Sequence, residues 1–239
     1  MLDDAPFRGN PFAKVDIRAR IRLREIQSGF SHIPLDAYVL DGTRSKDIAR
    51  FLVNSGRATK SRHGPLFHPT NSGSYGGLTE RFYSEVPEDE IGGLIEPIEI
   101  FARAAGIDAG REILLQRQRV SIGPSGISLT VREGPHQDGV KKLALLCVSR
   151  ANITGGISLI YDKNRTVTFS GILQPGEMLF IDDAKIWHDA SPIQRLDPSC
   201  PGHRDILIIT SPACREQRHP LEPSHRLLKT HLNEGARVA

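Results

Sequence analysis

The stretch Glu133-Gly134-Pro135-His136-Gln137-Asp138-Gly139 is the most informative part of this 239-residue sequence. His136 and Asp138 are two positions apart, so on an extended chain both side chains point to the same face. An apolar run at 143–148 follows them, and Trp187-His188 follows a second apolar run. The three polar residues His136, Asp138 and His188 are therefore expected at strand ends or in short connections.

The combination of two histidines and one carboxylate predicts a metal site. His136, Asp138 and His188 could bind one side of a metal ion and leave the opposite positions open, which suits non-haem Fe(II) and oxygen chemistry. Arg204, farther along the chain, is the residue type that such a site needs if it also holds a dicarboxylate co-substrate. The alternative is that the histidines are ordinary loop residues and Asp138 a turn residue, and spacing alone does not decide between the two.

A second His-x-Asp pair, His203-Arg204-Asp205, competes with the first. It could recruit one of the histidines of the C-terminal tail, which are His219, His225 and His231. That tail is polar and contains proline, which is typical of irregular structure. Because the ligands of a reactive metal need rigid elements behind them, the first pair is favoured.

The composition is that of one globular domain spanning residues 1–239. A hydrophobic content of 38% is enough for a sizeable core. No run of about eighteen apolar residues occurs, so no membrane span is expected, and residues 1–6 do not resemble a signal peptide. The expected organisation is helical support and a lid loop in 1–116, a β core in 117–212 and a tail in 213–239.

The cysteines and the charge indicate the compartment and the partners. Cys147, Cys200 and Cys214 are odd in number and widely spaced, so they form neither a disulfide framework nor a zinc pattern. This usage predicts the reducing cytoplasm. The net charge of +3 is small, and basic clusters without interleaved aromatic residues do not favour a nucleic-acid partner. The expected partner is a small-molecule substrate, and a homodimer is compatible with the sequence.

Hydrophobic spacing predicts helices at 14–28, 45–54 and 88–105. In the second of these, Ser45 is a plausible N-cap and the apolar residues recur at helical spacing. Pro97 predicts a kink in the third, or two short helices. Residues 60–77 are rich in Gly, Ser, His and Pro, and a loop of that length is either a lid over a site or a disordered surface loop.

From residue 117 onward the pattern changes to short strands separated by turns. The predicted strands are 117–122, 127–131, 142–148, 157–161, 166–170, 177–181 and 204–210. Seven short strands after a helical region predict a sandwich or a squashed barrel with helices on one outer face. In such a barrel a metal would lie inside one open end.

The residues His136, Asp138, His188 and Arg204 among these strands resemble the double-stranded β-helix Fe(II)/2-oxoglutarate dioxygenases. Several stretches look like the bacterial branch that hydroxylates free L-amino acids, such as isoleucine 4-hydroxylase. They are residues 133–139, 152–156, 182–193 and 204–210, together with Tyr75-Gly76-Gly77 and Arg81-Phe82-Tyr83. The resemblance covers about residues 30–212, and the ordered combination is more specific than any single piece.

The resemblance implies a mainly β fold with flanking helices. The core would be a double-stranded β-helix of the jelly-roll or cupin type, with the N-terminal helices packed on one face. His136, Asp138 and His188 would bind Fe(II), with 2-oxoglutarate as co-substrate and dioxygen as oxidant. The implied reaction hydroxylates an unactivated carbon and releases succinate and carbon dioxide. Related halogenases have Gly or Ala in place of Asp138, so halogenation is disfavoured.

Arg204 is the expected partner of the distal carboxylate of 2-oxoglutarate. Arg204, Ile206, Ile208 and Thr210 share one strand face, which places the arginine beside apolar residues, and a buried arginine needs an anion. The alternative is a surface arginine at the start of a strand. Thr210 would add a hydroxyl to the same carboxylate or simply fill the strand.

Four residues are candidate substrate contacts. Arg117 and Arg119 share one strand face, and either could bind a substrate carboxylate if that face lines the barrel mouth; a solvated edge strand is the alternative. Glu133 could bind a substrate ammonium or be an ordinary loop carboxylate. Trp187 adjoins His188 and either packs against the site or serves as a core aromatic residue.

Three functions remain open at this point. They are a hydroxylase of free L-amino acids or close derivatives, a tailoring oxygenase for a larger or carrier-bound metabolite, and a metal-free barrel that only binds a small ligand. The amount of metal that the protein retains separates the two oxygenases from the metal-free barrel. Turnover of free against carrier-tethered substrates separates the first from the second.

Overall fold

The computed structural model describes residues 9–68, 79–107 and 109–212. In these ranges the chain forms helices α1 (Leu23–Ser28) and α2 (Ile91–Ala105), with short 3-10 segments at Arg18–Arg20, Gly29–His32 and Glu88–Glu90. The strands, in chain order, are β1 (Phe12–Asp16), β2 (Arg44–Asn54), β3 (Arg57–Lys60), β4 (Leu66–His68), β5 (Thr79–Arg81), β6 (Ser84–Glu85), β7 (Arg111–Ser121), β8 (Ile127–Ser128), β9 (Lys142–Ala151), β10 (Ile153–Gly155), β11 (Ile157–Tyr161), β12 (Val167–Ile172), β13 (Glu177–Ile181), β14 (Trp187–Ala190), β15 (Ile193–Arg195) and β16 (His203–Ser211).

One large sheet organises the fold. Its strand order is β1-β13-β9-β16-β7-β2-β3, and the short β6 pairs with β2. Two three-stranded sheets, β12-β11-β14 and β10-β15-β8, and the pair β4-β5 complete the described part of the chain. The pairings are antiparallel except that of β2 with β6. Because most neighbours in the large sheet are not consecutive in the sequence, the chain crosses between the sheets several times.

Both faces of the large sheet are buried. Since neighbouring residues along a strand point to opposite sides, the sheet contributes side chains to two cores. On one side it shares a core with the helices, in which Phe101 of α2 and Leu207 of β16 lie. On the other side it shares a second core with β11 and β12, in which Cys147 of β9 and Ile160 of β11 lie. We call these sides the helix face and the inner face.

This arrangement confirms the predicted fold class, a mainly β jelly roll with helices on one face. Two of the predicted strands have the observed bounds, Ile157–Tyr161 and Glu177–Ile181. The others shift at their ends; β7 begins at Arg111, before the predicted start. No helix in the described ranges is long and apolar enough to cross a membrane.

The prediction of a helix at 45–54 is wrong. This segment lies within β2, which pairs with β3 on one side and with β7 on the other. Residues 46–51 are all buried, since both faces of the large sheet are covered. A strand that is buried on both faces shows no clear alternation, and a short apolar run cannot be separated from a helix by periodicity alone.

The first 116 residues are consequently less helical than predicted. Strand β1 occupies the beginning of the predicted helix at 14–28, because its backbone pairs with β13, and α1 is only its last turns. Helix α2 runs through Pro97 without interruption, and Leu94 and Ile98, on either side of the proline, are both buried. The single-domain organisation stays a prediction.

Two predicted segments lie wholly or partly outside the described residues. The loop at 60–77 is described only to residue 68, where it forms the end of β3 and the short β4. The tail at 213–239 lies outside the described ranges.

The burial of α2 against the helix face generates a stability prediction. Leu94 is 2% exposed in the core under the helix, whereas Leu40 is 96% exposed. We expect Leu94→Ala to lower the free energy of unfolding by about 2–5 kcal/mol, because it leaves a cavity in a packed core. The matched Leu40→Ala should change it by less than about 0.5 kcal/mol. Urea unfolding followed by circular dichroism measures both, and equal effects of the two variants would contradict the packing described.

Candidate active site

A backbone bridge brings the two candidate histidines together. His136 and His188 exchange N–H···O=C hydrogen bonds of 3.0 and 2.9 Å, and their ring centroids are 4.3 Å apart. His188 is part of β14, whose register opposite β11 is fixed over four residue pairs. The loop that carries His136 is thus tied to the end of a regular sheet.

Asp138 completes a compact cluster with the two histidines. The candidate ligand atoms of His136, Asp138 and His188 all lie within 4.8 Å of one another. The Nε2 atom of His136 is 3.4 Å from Asp138 Oδ1, and that of His188 is 3.9 Å from Asp138 Oδ2. These spacings and this donor set suit a divalent cation between the three side chains.

The tautomer of His136 is set by its own loop. Its Nδ1 lies 2.8 Å from the carbonyl oxygen of Gly134 and donates a hydrogen bond to it, which leaves Nε2, on the side of Asp138, as the nitrogen that a metal would take. Burial lowers the pKa of His136, but the adjacent Asp138 carboxylate more than offsets this and raises the pKa to about 9. The same contacts, together with Lys46, hold the pKa of Asp138 below its usual range against the effect of burial.

A buried carboxylate, Asp183, holds the ligand loop in place. It accepts hydrogen bonds from the backbone N–H groups of Asp138 (3.1 Å), Gly139 (2.9 Å) and Val140 (3.2 Å). The Gln137 side chain adds a hydrogen bond of 2.6 Å to the Asp183 carbonyl. Asp183 had no predicted role beyond its place in the stretch 182–193, since nothing in its sequence context indicates three backbone partners.

Several buried polar atoms on the inner face of the large sheet, or on the strands opposite it, have no hydrogen-bond partner among the described residues. They are His188 Nε2, Arg204 Nε and Nη2, Thr210 Oγ1, Ser158 Oγ and Arg150 Nη1. Buried polar atoms of folded proteins are nearly always paired. Their number here indicates that this face binds polar ligands.

Arg204 lies on the inner face, as its strand parity predicted, and is 3% exposed. Arg150 lies directly opposite it on β9, so two like charges are adjacent in the interior. Burial, reinforced by Arg150, lowers the pKa of Arg204 to about 10. An anion bound here would pair with the free guanidinium atoms and offset this desolvation.

Gly156 keeps the space beside these arginines open. A Cβ atom at this position would lie 3.1 Å from Arg150 Nη1 and 3.3 Å from Arg204 Cδ. Its φ of +64° also favours glycine. The Gly155-Gly156 turn therefore borders the anion-binding region.

Thr210 does not belong to the same anion site as Arg204. The two residues share the inner face of β16, but they are six positions apart on one strand, about 20 Å. That distance is too large for one carboxylate to contact both side chains. The shared parity was predicted correctly, whereas the shared ligand was not.

The prediction that Arg117 or Arg119 binds substrate is wrong, because both guanidinium groups are already paired on the helix face. Arg117 donates to Asp47 at 2.8 Å and also pairs with Glu90. Arg119 holds both carboxylate oxygens of Asp205, at 2.7 and 2.8 Å. Strand parity placed these arginines on one face, but it cannot say which face is inward.

Trp187 and His188 are consecutive on β14, so they point to opposite faces, and the predicted substrate contact of Trp187 is not supported. The guanidinium carbon of Arg165 lies 3.3 Å from the Trp187 ring centroid. Arg165 also donates to the carbonyl oxygen of Pro135 at 3.1 Å. Trp187 therefore supports the ligand loop from outside. Glu133 is exposed, and its contact with a substrate ammonium stays a prediction.

The second His-x-Asp pair is not a metal site in the described ranges. Asp205 is committed to Arg119, and the metal-binding group found there consists of His136, Asp138 and His188. The tail histidines His219, His225 and His231 lie outside these ranges.

Lys46 was not predicted as a site residue. This residue is 6% exposed, and its ammonium lies 4.8 Å from the centroid of the Tyr83 ring. Burial, reinforced by Arg44, lowers the pKa of Lys46 to about 7. The prediction of a helix at 45–54 concealed the position of this residue on the inner face of β2, because a strand that is buried on both faces shows no clear alternation.

The hydrogen bonds of Asp183 generate a prediction about metal affinity. We expect Asp183→Asn to weaken Mn(II) binding by roughly 10- to 100-fold, the usual effect of removing a group that orients ligands. Asp182→Asn is the matched control, because the neighbouring Asp182 pairs with Lys142 and Lys185 instead. Competition for Mn(II), followed by electron paramagnetic resonance, measures both. An unchanged affinity in Asp183→Asn, or equal losses in the two variants, would count against this role.

Comparisons with known proteins agree with this geometry. The model of the 2OG-Fe dioxygenase family matches residues 27–210. Among solved structures, a bsmA homolog from Methylobium petroleophilum PM1 is 23% identical with a TM-score of 0.72, covering 85% of this chain and 88% of that one. IDO from Bacillus thuringiensis is 18% identical with a TM-score of 0.68, covering 85% and 94%. The Fe(II)/(alpha)ketoglutarate-dependent dioxygenase TqaL is 16% identical with a TM-score of 0.59, covering 84% and 82%.

A search of curated proteins gave no match. The structural likenesses, at these identities, concern the fold, whereas the family match spans most of the chain and its cluster of two histidines and one aspartate. The chain belongs to the 2OG-Fe dioxygenase family, whose members use Fe(II), 2-oxoglutarate and dioxygen.

Proposed function

We propose that this protein hydroxylates an unactivated carbon of a free L-amino acid or a close derivative. The reaction consumes 2-oxoglutarate and dioxygen and releases succinate and carbon dioxide. The observation that carries the proposal is the cluster of His136, Asp138 and His188, together with the unpaired, buried Arg204 on the inner face of the large sheet. The resemblance of residues 133–139 and 204–210 to amino acid hydroxylases supports the substrate class.

The three clustered side chains fit Fe(II). Two imidazoles and one carboxylate are a donor set that this ion takes, and its binding would displace the proton of His136. The Nε2 atom of His188 makes no hydrogen bond among the described residues. His136, Asp138 and His188 would hold the metal. When bound, Fe(II) supplies the activation of dioxygen, which no protein side chain provides.

Arg204 would bind the distal carboxylate of 2-oxoglutarate. Its Nε and Nη2 atoms are unpartnered in the described part of the chain, which leaves one edge of the guanidinium for a bidentate pair with a carboxylate. The adjacent Arg150 offers Nη1 to the same region. A carboxylate bound between them would offset part of the positive charge that burial makes costly at this place.

The surrounding residues orient the ligands and exclude water. Asp183 fixes the backbone of the loop that presents Asp138. Leu143, Leu179 and Ile160 form a fully buried apolar wall on the inner face, which limits side reactions with water. Cys147 lies in the same wall, and burial raises its pKa to about 11, so this residue stays an unreactive thiol.

The proposal predicts succinate formation coupled to hydroxylation. Protein loaded with Fe(II) and supplied with 2-oxoglutarate should release succinate with at least one of the free L-amino acids, and the product should be heavier by one oxygen atom. His136→Ala and Asp138→Ala should each abolish succinate formation, because the two ligands that remain in each variant are too few to hold the metal. Mass spectrometry of product and succinate measures both.

Other outcomes of this assay are equally informative. Slow succinate release with every amino acid, without hydroxylated product, would move the substrate to a larger or carrier-bound metabolite. Full turnover in either ligand variant would overturn the assignment of the metal site.

The role of Arg204 predicts a selective kinetic defect. We expect Arg204→Lys to raise KM for 2-oxoglutarate by roughly 10- to 100-fold, since a point charge replaces a bidentate fork. Arg119→Lys is the matched control, because Arg119 lies on the helix face and pairs with Asp205. Steady-state kinetics with varied 2-oxoglutarate measures both, and an unchanged KM in Arg204→Lys would contradict the assignment.

A further inference from the structure

Lys46 lies on the inner face of the large sheet, beside the site. Its partner on β7 is Gln118, whose partner on β16 is Ile206. Residues directly opposite each other in a sheet point to the same side, and Ile206 shares its side with Arg204 by strand parity. Lys46 and Asp138 are also close enough for each charge to shift the pKa of the other.

The Lys46 ammonium has no anionic partner in the described part of the chain. Its only contact with a charged or aromatic group there is the face of the Tyr83 ring. The nearest acidic residues are otherwise engaged: Asp36 pairs with Arg44 at 2.7 Å, and Asp138 belongs to the metal cluster. A buried cation in this state carries an uncompensated desolvation cost.

Two arginines lie near Lys46. Arg44 and Arg81 both act on Lys46 as like charges, and the Arg81 guanidinium carbon lies 5.0 Å from the Tyr38 ring centroid. Among the described residues, Asp36 and Asp138 are the carboxylates that act on Lys46. The tyrosine rings, which meet edge to face at 5.3 Å, add apolar surface beside the charge. Such a surface selects a small organic anion.

This cation is separate from the one assigned to 2-oxoglutarate. Lys46 is two strands away from β16, a distance of about 10 Å across the sheet, and Arg204 is displaced by a further two residues along it. The Lys46 ammonium lies against the Tyr83 ring, whereas Arg204 lies beside Arg150 and Gly156. Arg204 and Lys46 are therefore suited to two different anionic groups.

We propose that Lys46 binds the carboxylate of the primary substrate, so that the site accepts organic acids, free amino acids among them, and rejects their neutral amides. This inference rests on the proposed function and narrows its substrate to an anion. Lys46 takes the role that the sequence suggested for Arg117 and Arg119, which are paired on the opposite face. Because Lys46 is buried beside Tyr83, its ion pair with the substrate carboxylate would be shielded from water. Removal of the lysine charge should therefore weaken substrate binding strongly.

The test uses the full chain with Fe(II), 2-oxoglutarate and two substrate sets, the twenty free L-amino acids and the corresponding L-amino acid amides. Lys46→Met removes the charge at nearly constant length, and Lys46→Arg keeps it. Lys14→Met is the matched control, because Lys14 is an exposed lysine that pairs with Glu177 at the edge of the sheet. Thermal unfolding of each variant verifies the fold.

We expect the wild-type protein to hydroxylate at least one acid and not its amide. Lys46→Met should lower kcat/KM for that acid by roughly 10- to 100-fold, with KM for 2-oxoglutarate unchanged, and Lys46→Arg should retain part of the activity. Lys14→Met should behave as wild type. Equal turnover of acid and amide, an unaffected Lys46→Met variant, or a defect in KM for 2-oxoglutarate instead would overturn the inference.

A binding measurement separates failure of this inference from failure of the proposed function. Nickel-loaded protein saturated with 2-oxoglutarate is titrated calorimetrically with the same acids and amides. Binding of an acid that Lys46→Met abolishes supports the role of Lys46 even if no hydroxylated product forms, in which case only the proposed reaction fails. If an acid is hydroxylated but its binding does not depend on Lys46, the proposed reaction stands and the inference about Lys46 is rejected. The inference is also rejected if no acid in the panel binds.

Discussion

The carboxylate of Asp183 is the contact on which the site depends. It accepts hydrogen bonds from the N–H groups of three successive residues, Asp138, Gly139 and Val140. The same loop is also held by the backbone bridge between His136 and His188. Without that carboxylate, the three amides would need other partners in a partly buried loop. The same residue thus satisfies the backbone and fixes the direction of one ligand relative to the other two. Its charge also lies beside the ligand cluster, since one oxygen is 3.2 Å from His188 Nε2.

The large sheet distributes its charged residues by face. On the helix face the arginines are paired inside the protein, Arg117 with Asp47 and Glu90, and Arg119 with Asp205. On the inner face, Arg204 and Lys46 have no anionic partners of their own among the described residues. Burial of an unpaired charge opposes folding. The stability lost on the inner face is therefore available for ligand binding, because an anion that arrives there restores the missing pairs.

The sequence predicted the part of the structure that local pattern controls. The strands with regular turns, the three candidate ligands and the inward position of Arg204 follow from alternation and residue chemistry. The identity of a strand buried on both sides did not, and β2 with its Lys46 was taken for a helix. Nor could the sequence show which face of β7 lines the site. Alternation divides the residues of a strand between two faces, but only the position of the helices tells the two faces apart. The role of Asp183 could not be predicted, because its partners are backbone N–H groups more than forty residues away. Every residue type except proline has such a group, so the residue types of the partners do not reveal the contact.

The four-residue strand β14 carries an imidazole on one side and an indole on the other. A slip of one position in its pairing with β11 would exchange them, bringing the bulky Trp187 into the cluster and sending His188 to the outer surface. Loss or gain of a single residue within this strand would therefore remove the metal site in one step. Changes of length in the connections before and after β14 leave this register intact. Natural variation in substrate choice is thus expected to accumulate in the connecting segments, while the strand itself has no freedom to change its length.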